Sequence, residues 1–411
     1  MTDDISWQEV VLAYFTATRC FIGLVWLVGL CMVSESPAQS SKEFIGSETC
    51  GACHPQQYDG WLTTRHTIME QMPVWEGPDA NVVGDFTSSD EDLTFTRDDV
   101  DMLVGSRFKQ RYAKKIGDDY FMLPAQWNLE TGEWVKYAPK RDWWAAEGHY
   151  PEDWRERPTS RLCEGCHTVG FDLVTKVPVE RNIGCEACHG PGSLHADANE
   201  ASHIVNPVKL DTERGNMVCF QCHMRGRPPK GENETVAWAI GYTPGDDLRK
   251  YWVYDKPTGQ SSYALWDDGY AHVNRVQGNT FIQSSMHHAG VNCYTCHDPH
   301  GTRHTSFTIK SAKNNSLCLT CHGPGMQLAV YDKSITEHTR HAVGSDGSRC
   351  IDCHMPKTGK NAVQWDARDH SFTFISPLST IRHGTPNGCN NCHTDQSPEW
   401  ALEAVTNWRF E

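Results

Sequence analysis

Two boxes of the form Cys-x-x-Cys-His stand close together in RLCEGCHTVGFDLVTKVPVERNIGCEACHGPGSLH, residues 161–195. Closely spaced cysteines serve three chemistries: a zinc site, a redox disulfide and covalent attachment of haem. Zinc takes four ligands and gives no reason for a histidine after every second cysteine. A redox disulfide needs one such pair. Haem attachment uses the whole box, because two thiols add across the haem vinyl groups as thioethers and the histidine is set under the iron. The box occurs eight times, at Cys50/Cys53/His54, Cys163/Cys166/His167, Cys185/Cys188/His189, Cys219/Cys222/His223, Cys293/Cys296/His297, Cys318/Cys321/His322, Cys350/Cys353/His354 and Cys389/Cys392/His393. These boxes use 16 of the 18 cysteines, and the other two, Cys20 and Cys31, lie in an N-terminal apolar segment. Eight covalently attached haem c groups are expected, with the eight box histidines as proximal iron ligands.

An iron with a second histidine opposite the first is six-coordinate, and 13 of the 21 histidines remain for that role. Local context favours His66, His195, His300, His338, His341, His370 and one of the His287/His288 pair as distal ligands. His149, His203, His272, His304 and His383 rank lower. His195 follows its box by six residues and His300 follows its box by three. The chain would have to pass round a haem edge to reach the far side of its own iron, so ligation of a neighbouring haem is simpler. Such cross-ligation would tie the haems into one array. Methionine is the rival ligand, and Met69, Met72 and Met286 lie beside candidate histidines; with histidine abundant, these are read as packing. Bis-histidine ligation implies low potentials, because Met/His ligation raises them.

The elements that must position these groups follow from box spacing. The first box is isolated, the next three form a triplet and the last four a quartet. Haem-free inserts near 80–150 and 225–280 separate them. In the first insert, RFKQRYAKKIGDDYFMLPAQWNLETGEWVKY (107–137) is broken at Gly117-Asp118-Asp119 and Thr131-Gly132, which predicts a small antiparallel β meander. The second insert reads as irregular, and its Gly245-Asp246-Asp247 as a turn rather than a cation site. The triplet and quartet look like a weak duplication, with Asn216 before CFQCH matching Asn315 before CLTCH. At the end, SPEWALEAVTNWRFE gives a Ser397 cap, Pro398 at the first helical position and an apolar face of Ala401, Ala404, Val405 and Trp408. Residues 39–411 leave under 50 residues per haem, so the haems must form much of the core. Helices should be short and follow the boxes.

Formal net charge is −15, without Lys/Arg blocks, which argues against nucleic acid as a partner. Residues 1–38 read as a signal peptide: the run FIGLVWLVGLCMV is followed by Ser36-Pro37-Ala38 and is short for a membrane span. Retention as a membrane anchor is the less favoured alternative. Export to the periplasm or the extracellular space suits haem c, which is attached outside the cytoplasm.

The stretches CEGCHTVGFD, IGCEACHGPGSLH, WDDGYAH…FIQSSMHHAGVNCYTCHDPHG, CIDCHMPKTG and DHSF…PNGCNNCH resemble multihaem c-type cytochromes of the doubled CxxCH class. That group includes the tetrahaem cytochrome that partners hydroxylamine oxidoreductase. The resemblance runs from Cys50 to the C-terminus and implies stacked and T-shaped haem pairs, mostly bis-histidine. It also implies a helical repeat domain in larger members. The expected fold is a haem-cored multihaem cytochrome c, mostly irregular, with short α-helices and the β-meander insert.

The favoured function is an electron carrier whose partners are redox proteins, either other cytochromes or a quinol-oxidising membrane complex. One alternative is an oxidoreductase of the hydroxylamine, nitrite or sulfur-oxyanion type with one open haem. Related reductases mark the catalytic haem with lysine in place of the box histidine, and all eight boxes here end in histidine. Self-association into a conductive filament is the other alternative.

Overall fold

The computed structural model describes residues 42–137, 153–231, 233–259, 264–303, 308–326, 334–360 and 366–408. The expected signal peptide, Cys20, Cys31, His149 and His304 lie outside them. The described residues belong to one unit, Lys42–Glu411.

The first insert and a short strand just before it build the largest regular element, a five-stranded antiparallel sheet in chain order: β1 Glu70–Gln71, β2 Met102–Val104, β3 Lys109–Ile116, β4 Asp119–Asn128 and β5 Glu133–Lys136. The meander read from the sequence is β3 to β5, with two shorter strands added before it. β3 and β4 are joined at Gly117-Asp118, where Gly117 takes φ +65°, the conformation a two-residue hairpin turn needs at its first central position. Both faces of β4 are covered, since neighbouring Met122 and Leu123 are each buried. Leu123 points into an aromatic core with Leu103, Tyr112, Phe95 and Trp134. Met122 points to the other face, with Met102, Val104 and Ala113, which packs on Cys163 of the second box. The sheet is thus a wall on which one box is mounted. Asp119 reinforces it, accepting from the Ser160 hydroxyl at 2.6 Å.

The second insert has a core of its own, against the expectation of irregular chain alone. Leu248 and Trp252 are fully buried against Met217 and Phe220 of the helix Thr212–His223 and Met224 just after it. Burying each such side chain contributes about 1.5–3 kcal/mol. Gly245-Asp246-Asp247 is a turn, and the Asp247 carboxylate accepts from the Arg249 amide at 3.1 Å.

Helices are short, and several hold box residues while others, such as Pro55–Leu62 and Ser193–Ala198, follow a box. Box residues end the helices Glu164–His167, Glu186–His189, Thr212–His223, Ser316–His322 and Cys350–His354. A helix fixes the Cys-x-x-Cys spacing to about one turn, which brings both thiols to one side. Gly165 inside the second box is required by a close approach, since a Cβ there would lie 2.0 Å from the Trp238 ring. The C-terminal helix Pro398–Trp408 buries Ala401 and Val405. No helix among the described residues is long and apolar enough to cross a membrane.

Candidate functional site: a cavity lined by cysteine–histidine boxes

A cavity of about 3380 Å³ runs through the protein. Ligand pockets are usually about 300–1,000 Å³, so this space suits several large groups rather than one. Residues of the first seven boxes line it, together with His66, His195, His300, His338 and His370. Among the cysteines of those seven boxes only Cys163 is outside the lining, because it packs on the sheet. No disulfide joins the sixteen box cysteines, and among the described residues no three His, Cys, Asp or Glu side chains converge on one metal position. The zinc and disulfide readings therefore find no geometry here.

The eighth box differs from the other seven. The sequence puts Cys392 with the other box thiols in a haem-filled core; the structure puts it at the surface. Cys389, Cys392 and His393 do not line the cavity, and Cys392 is exposed. Cys53 and Cys321 are exposed too, yet both face the cavity. The reason is local. This box lies in a turn over residues 388–392 rather than in a helix, held by Asn387, whose Oδ1 accepts from the Cys389 amide at 2.9 Å. The Cys392 amide bonds only back to Cys389 O, at 3.1 Å. A group tethered to Cys389 and Cys392 would sit at the protein's edge, not in the shared interior.

Four pairs of imidazole rings face each other across space. The ring centroids are 6.1 Å apart for His54–His195, 6.1 Å for His189–His300, 6.2 Å for His338–His354 and 6.1 Å for His341–His393. A metal–imidazole bond of about 2.0 Å on each side, with each centroid about 1.1 Å behind its nitrogen, spans about 6.2 Å. Rings in van der Waals contact would lie closer. Each pair thus leaves room for one iron, and each joins a box histidine to a histidine from outside the box.

Ring hydrogen bonds set the tautomer. Nδ1 of His189 meets Val205 O at 2.7 Å, that of His195 meets Glu200 O at 2.9 Å, that of His341 meets Thr339 O at 2.6 Å and that of His370 meets Arg368 O at 3.1 Å. Donation from Nδ1 leaves the Nε2 lone pair for a metal. Burial also pushes His66, His167, His223 and His370 down to about 4, which keeps these rings neutral. His66 interacts electrostatically with His223, and His370 with His297. The donor set, the tautomers and the cavity fit covalently held haem.

The local chain explains these placements. Glu186, inside the third box, accepts from the amides of Ile45, Gly46 and Gly192 at 2.8–3.0 Å. It holds the first box's approach beside the Gly190-Pro191-Gly192 turn, after which the helix Ser193–Ala198 carries His195 to His54. Gly60 lets the helix Pro55–Leu62 touch the His300 loop, since a Cβ there would stand 2.4 Å from His300 O. At the end of the chain Trp400 packs on His393 at 5.2 Å and Trp408 on His341 at 6.5 Å. These two rings cover the His341–His393 pair of the outlying eighth box.

Other candidates lie elsewhere. His287 and His288 form a T-shaped pair at 5.8 Å, His287 packs on Phe281 at 5.3 Å, and His288 is exposed. Neither lines the cavity, so sequence proximity to a box did not put them opposite a box histidine. His272 packs at a tilt on Trp266 at 4.2 Å, and Nδ1 of His383 pairs with Asp267 at 3.0 Å. The apparent surplus of ligands shrinks accordingly. Met69 and Met286 line the cavity, while Met72 is exposed.

Sequence reasoning missed Ser47 and Glu186, whose roles depend on partners more than a hundred residues away. It also missed Arg111 and Arg275, cations that act on His167. Beside that box lies a buried carboxyl pair, Glu70 and Glu164. Arg181 Nη1 is 3.0 Å from Glu70 Oε1, at ion-pair distance but without hydrogen-bond alignment.

Comparison with known proteins gives three family models. Residues 335–409 match cytochrome c552, residues 287–327 the doubled CXXCH motif, and residues 134–190 cytochrome c554 and c-prime. Among curated proteins, the dissimilatory sulfite reductase MccA of Wolinella succinogenes is 22% identical over 78% of this chain and 52% of its own length. The multiheme cytochrome MtrA of Shewanella baltica is 24% identical over 34% of this chain and 42% of its own. The chain spans about half the length of the curated relatives it matches. Among solved structures, the outer cell wall cytochrome OcwA superposes with a TM-score of 0.68 at 20% identity, covering 89% of this chain and 86% of that one. The undecaheme cytochrome from the S-layer of Carboxydothermus ferrireducens gives 0.50 at 18% identity, covering 90% and 60%. These likenesses establish a multihaem cytochrome fold.

Proposed function

The chain belongs to the multihaem c-type cytochromes with doubled CxxCH motifs, and we propose that it works as an exported electron-transfer protein holding eight haem c groups. The observation that carries this reading is one continuous cavity collecting seven boxes, with paired imidazoles at iron-spanning separation. The haem supplies one-electron chemistry; the chain's cysteines tether it, its histidines ligate the iron, and buried neutral rings favour low-spin bis-histidine sites. Periplasmic or extracellular placement fits the sequence of residues 1–38 and the names of the structural relatives, an outer cell wall and an S-layer cytochrome. With a formal charge of −15, the partners are redox proteins, other cytochromes or a quinol-oxidising membrane complex, met through local or basic patches. Intact mass of the purified protein tests the reading: eight haem masses added and residues 1–38 absent support it, and a thiol-only mass overturns it.

One observation favours a second reading. The buried ring of His167 lies near two cations, Arg275 and Arg111, which act on it electrostatically. An iron held there would offer a position to a small anion, as an oxidoreductase requires. A high-spin ferric signal converted to low spin by cyanide supports this reading; an all-low-spin protein inert to cyanide removes it.

A further inference from the structure

We propose that Ser47, Asn216 and Asn315 are positioning residues that set three haem pairs, each by fixing the first cysteine of one box against the first cysteine of another. The proposal rests on the haem-array reading above and adds the device that spaces the array.

Each of the three residues stands three positions before the first cysteine of its own box. The Asn216 Oδ1 accepts from the Cys293 amide at 2.9 Å, and its Nδ2 donates to Val291 O at 3.3 Å. Asn315 repeats both bonds, to the Cys350 amide at 2.9 Å and Ser348 O at 2.8 Å. In both cases the carbonyl belongs to the residue two before the captured cysteine. A carboxamide has a donor and an acceptor on one rigid plane, so it fixes orientation as well as distance. Ser47 does the acceptor half: its Oγ receives the Cys185 amide at 2.8 Å, and its O–H donates to Glu180 at 2.8 Å. All three side chains are buried, where an amide deprived of its acceptor is costly.

The thiols give an independent sign of the same pairing. The side chains of Cys50 and Cys185, of Cys219 and Cys293 and of Cys318 and Cys350 lie close enough to interact with each other. These are the three box pairs that the clamps join. Between pairs, Cys188 interacts electrostatically with Cys219, Cys296 with Cys321 and Cys353 with both Cys389 and Cys392. The boxes therefore follow one line, first, third, fourth, fifth, sixth, seventh and eighth. The second box joins at the fourth through the Cys166–Cys222 contact.

The test uses the full haem-loaded protein and circular dichroism in the Soret band, where neighbouring haems give a split couplet. Asn315 has φ +65°, so Asn315→Gly keeps the backbone and removes only the carboxamide. Asn216→Ala removes the other clamp, and Asn216→Ser keeps an acceptor of the kind Ser47 supplies. Asn279→Ala is the control, because Asn279 is an equally buried carboxamide whose side-chain hydrogen bonds go to Arg225 and Asp255 rather than to a box residue.

With haem mass unchanged, the Ala and Gly variants should lose couplet amplitude and shift haem potentials, Asn216→Ser should recover part of the amplitude, and Asn279→Ala should keep it. A couplet that persists with both asparagines replaced overturns the proposal, as does equal loss in Asn279→Ala. If one clamp variant does not fold, the other and the Ser rescue decide. A wild-type protein with no haem would overturn the electron-transfer reading itself, and is distinguished by mass.

Discussion

The imidazole rings of His189 and His300 lie 6.1 Å apart and 7° from parallel, although one belongs to the third box and the other follows the fifth. Two such rings with nothing between them would leave a void in the protein interior. With an iron between them they would form one axis that ties distant parts of the chain together. His195 does the same for His54. In such an arrangement, losing one distal histidine would loosen two boxes at once.

Replacing His300 by Ala should therefore leave the haem mass unchanged and convert one low-spin haem to high spin, read by electron paramagnetic resonance. His300→Met should restore low spin at a raised potential, since Met/His ligation lies above bis-histidine. Gly60→Ala, which presses on the His300 carbonyl, should give a weaker version of the Ala phenotype. Unchanged spin states in all three would remove His300 from the iron.

Cys185→Ala with Cys188→Ala should lower the intact mass by one haem and no more. The Cys185 amide keeps its bond to Ser47, so the neighbouring boxes stay in place. Loss of several haems at once would show that the boxes mature as a unit.

Glu70 gives a pH dependence. Burial pushes its carboxyl up to about 8, the neighbouring Glu164 adds to the rise, and Arg181 opposes it. The folded protein then holds a proton that the unfolded chain releases above its ordinary value of 4.5. The contribution is fully present below that value and is lost as pH rises through about 8. Thermal stability should fall across this window in the wild type and fall less in Glu70→Gln. A variant with the wild-type slope would show that another group is responsible.

The two faces of β4 separate stability from haem binding. Leu123→Ala, in the aromatic core, should cost about 2–5 kcal/mol in denaturant unfolding with haem spectra unchanged. Met122→Ala faces Cys163 and should also perturb the haem of the second box. Spectra that change equally in both would mean that the sheet acts as one body on that box.

The boxes were legible because covalent attachment demands contiguous residues. Their setting was not: nothing in the motif separates Cys392, at the surface, from Cys353, in the cavity lining. The meander was legible because Gly117-Asp118 and Thr131-Gly132 punctuate a β-rich stretch. Ring pairing was not, since which histidine arrives opposite which depends on distant chain. His195 reaches His54 because Glu186, with the Glu43–Ser193 bonds, holds the two segments together. His287 and His288 sit near a box in sequence and outside the cavity in space. Asn216 and Asn315 were visible as a repeat, but their partners Cys293 and Cys350 were not. The Trp252 core escaped notice because its apolar residues follow no helical or strand period.

The most direct measurement is a reductive titration of the purified protein, counting electrons taken up per chain while absorbance and spin state are followed. An electron-transfer array of eight tethered, mostly bis-histidine haems should accept eight electrons reversibly at low potential, through predominantly low-spin centres. Uptake of far fewer electrons, or uptake without haem bands, would contradict it.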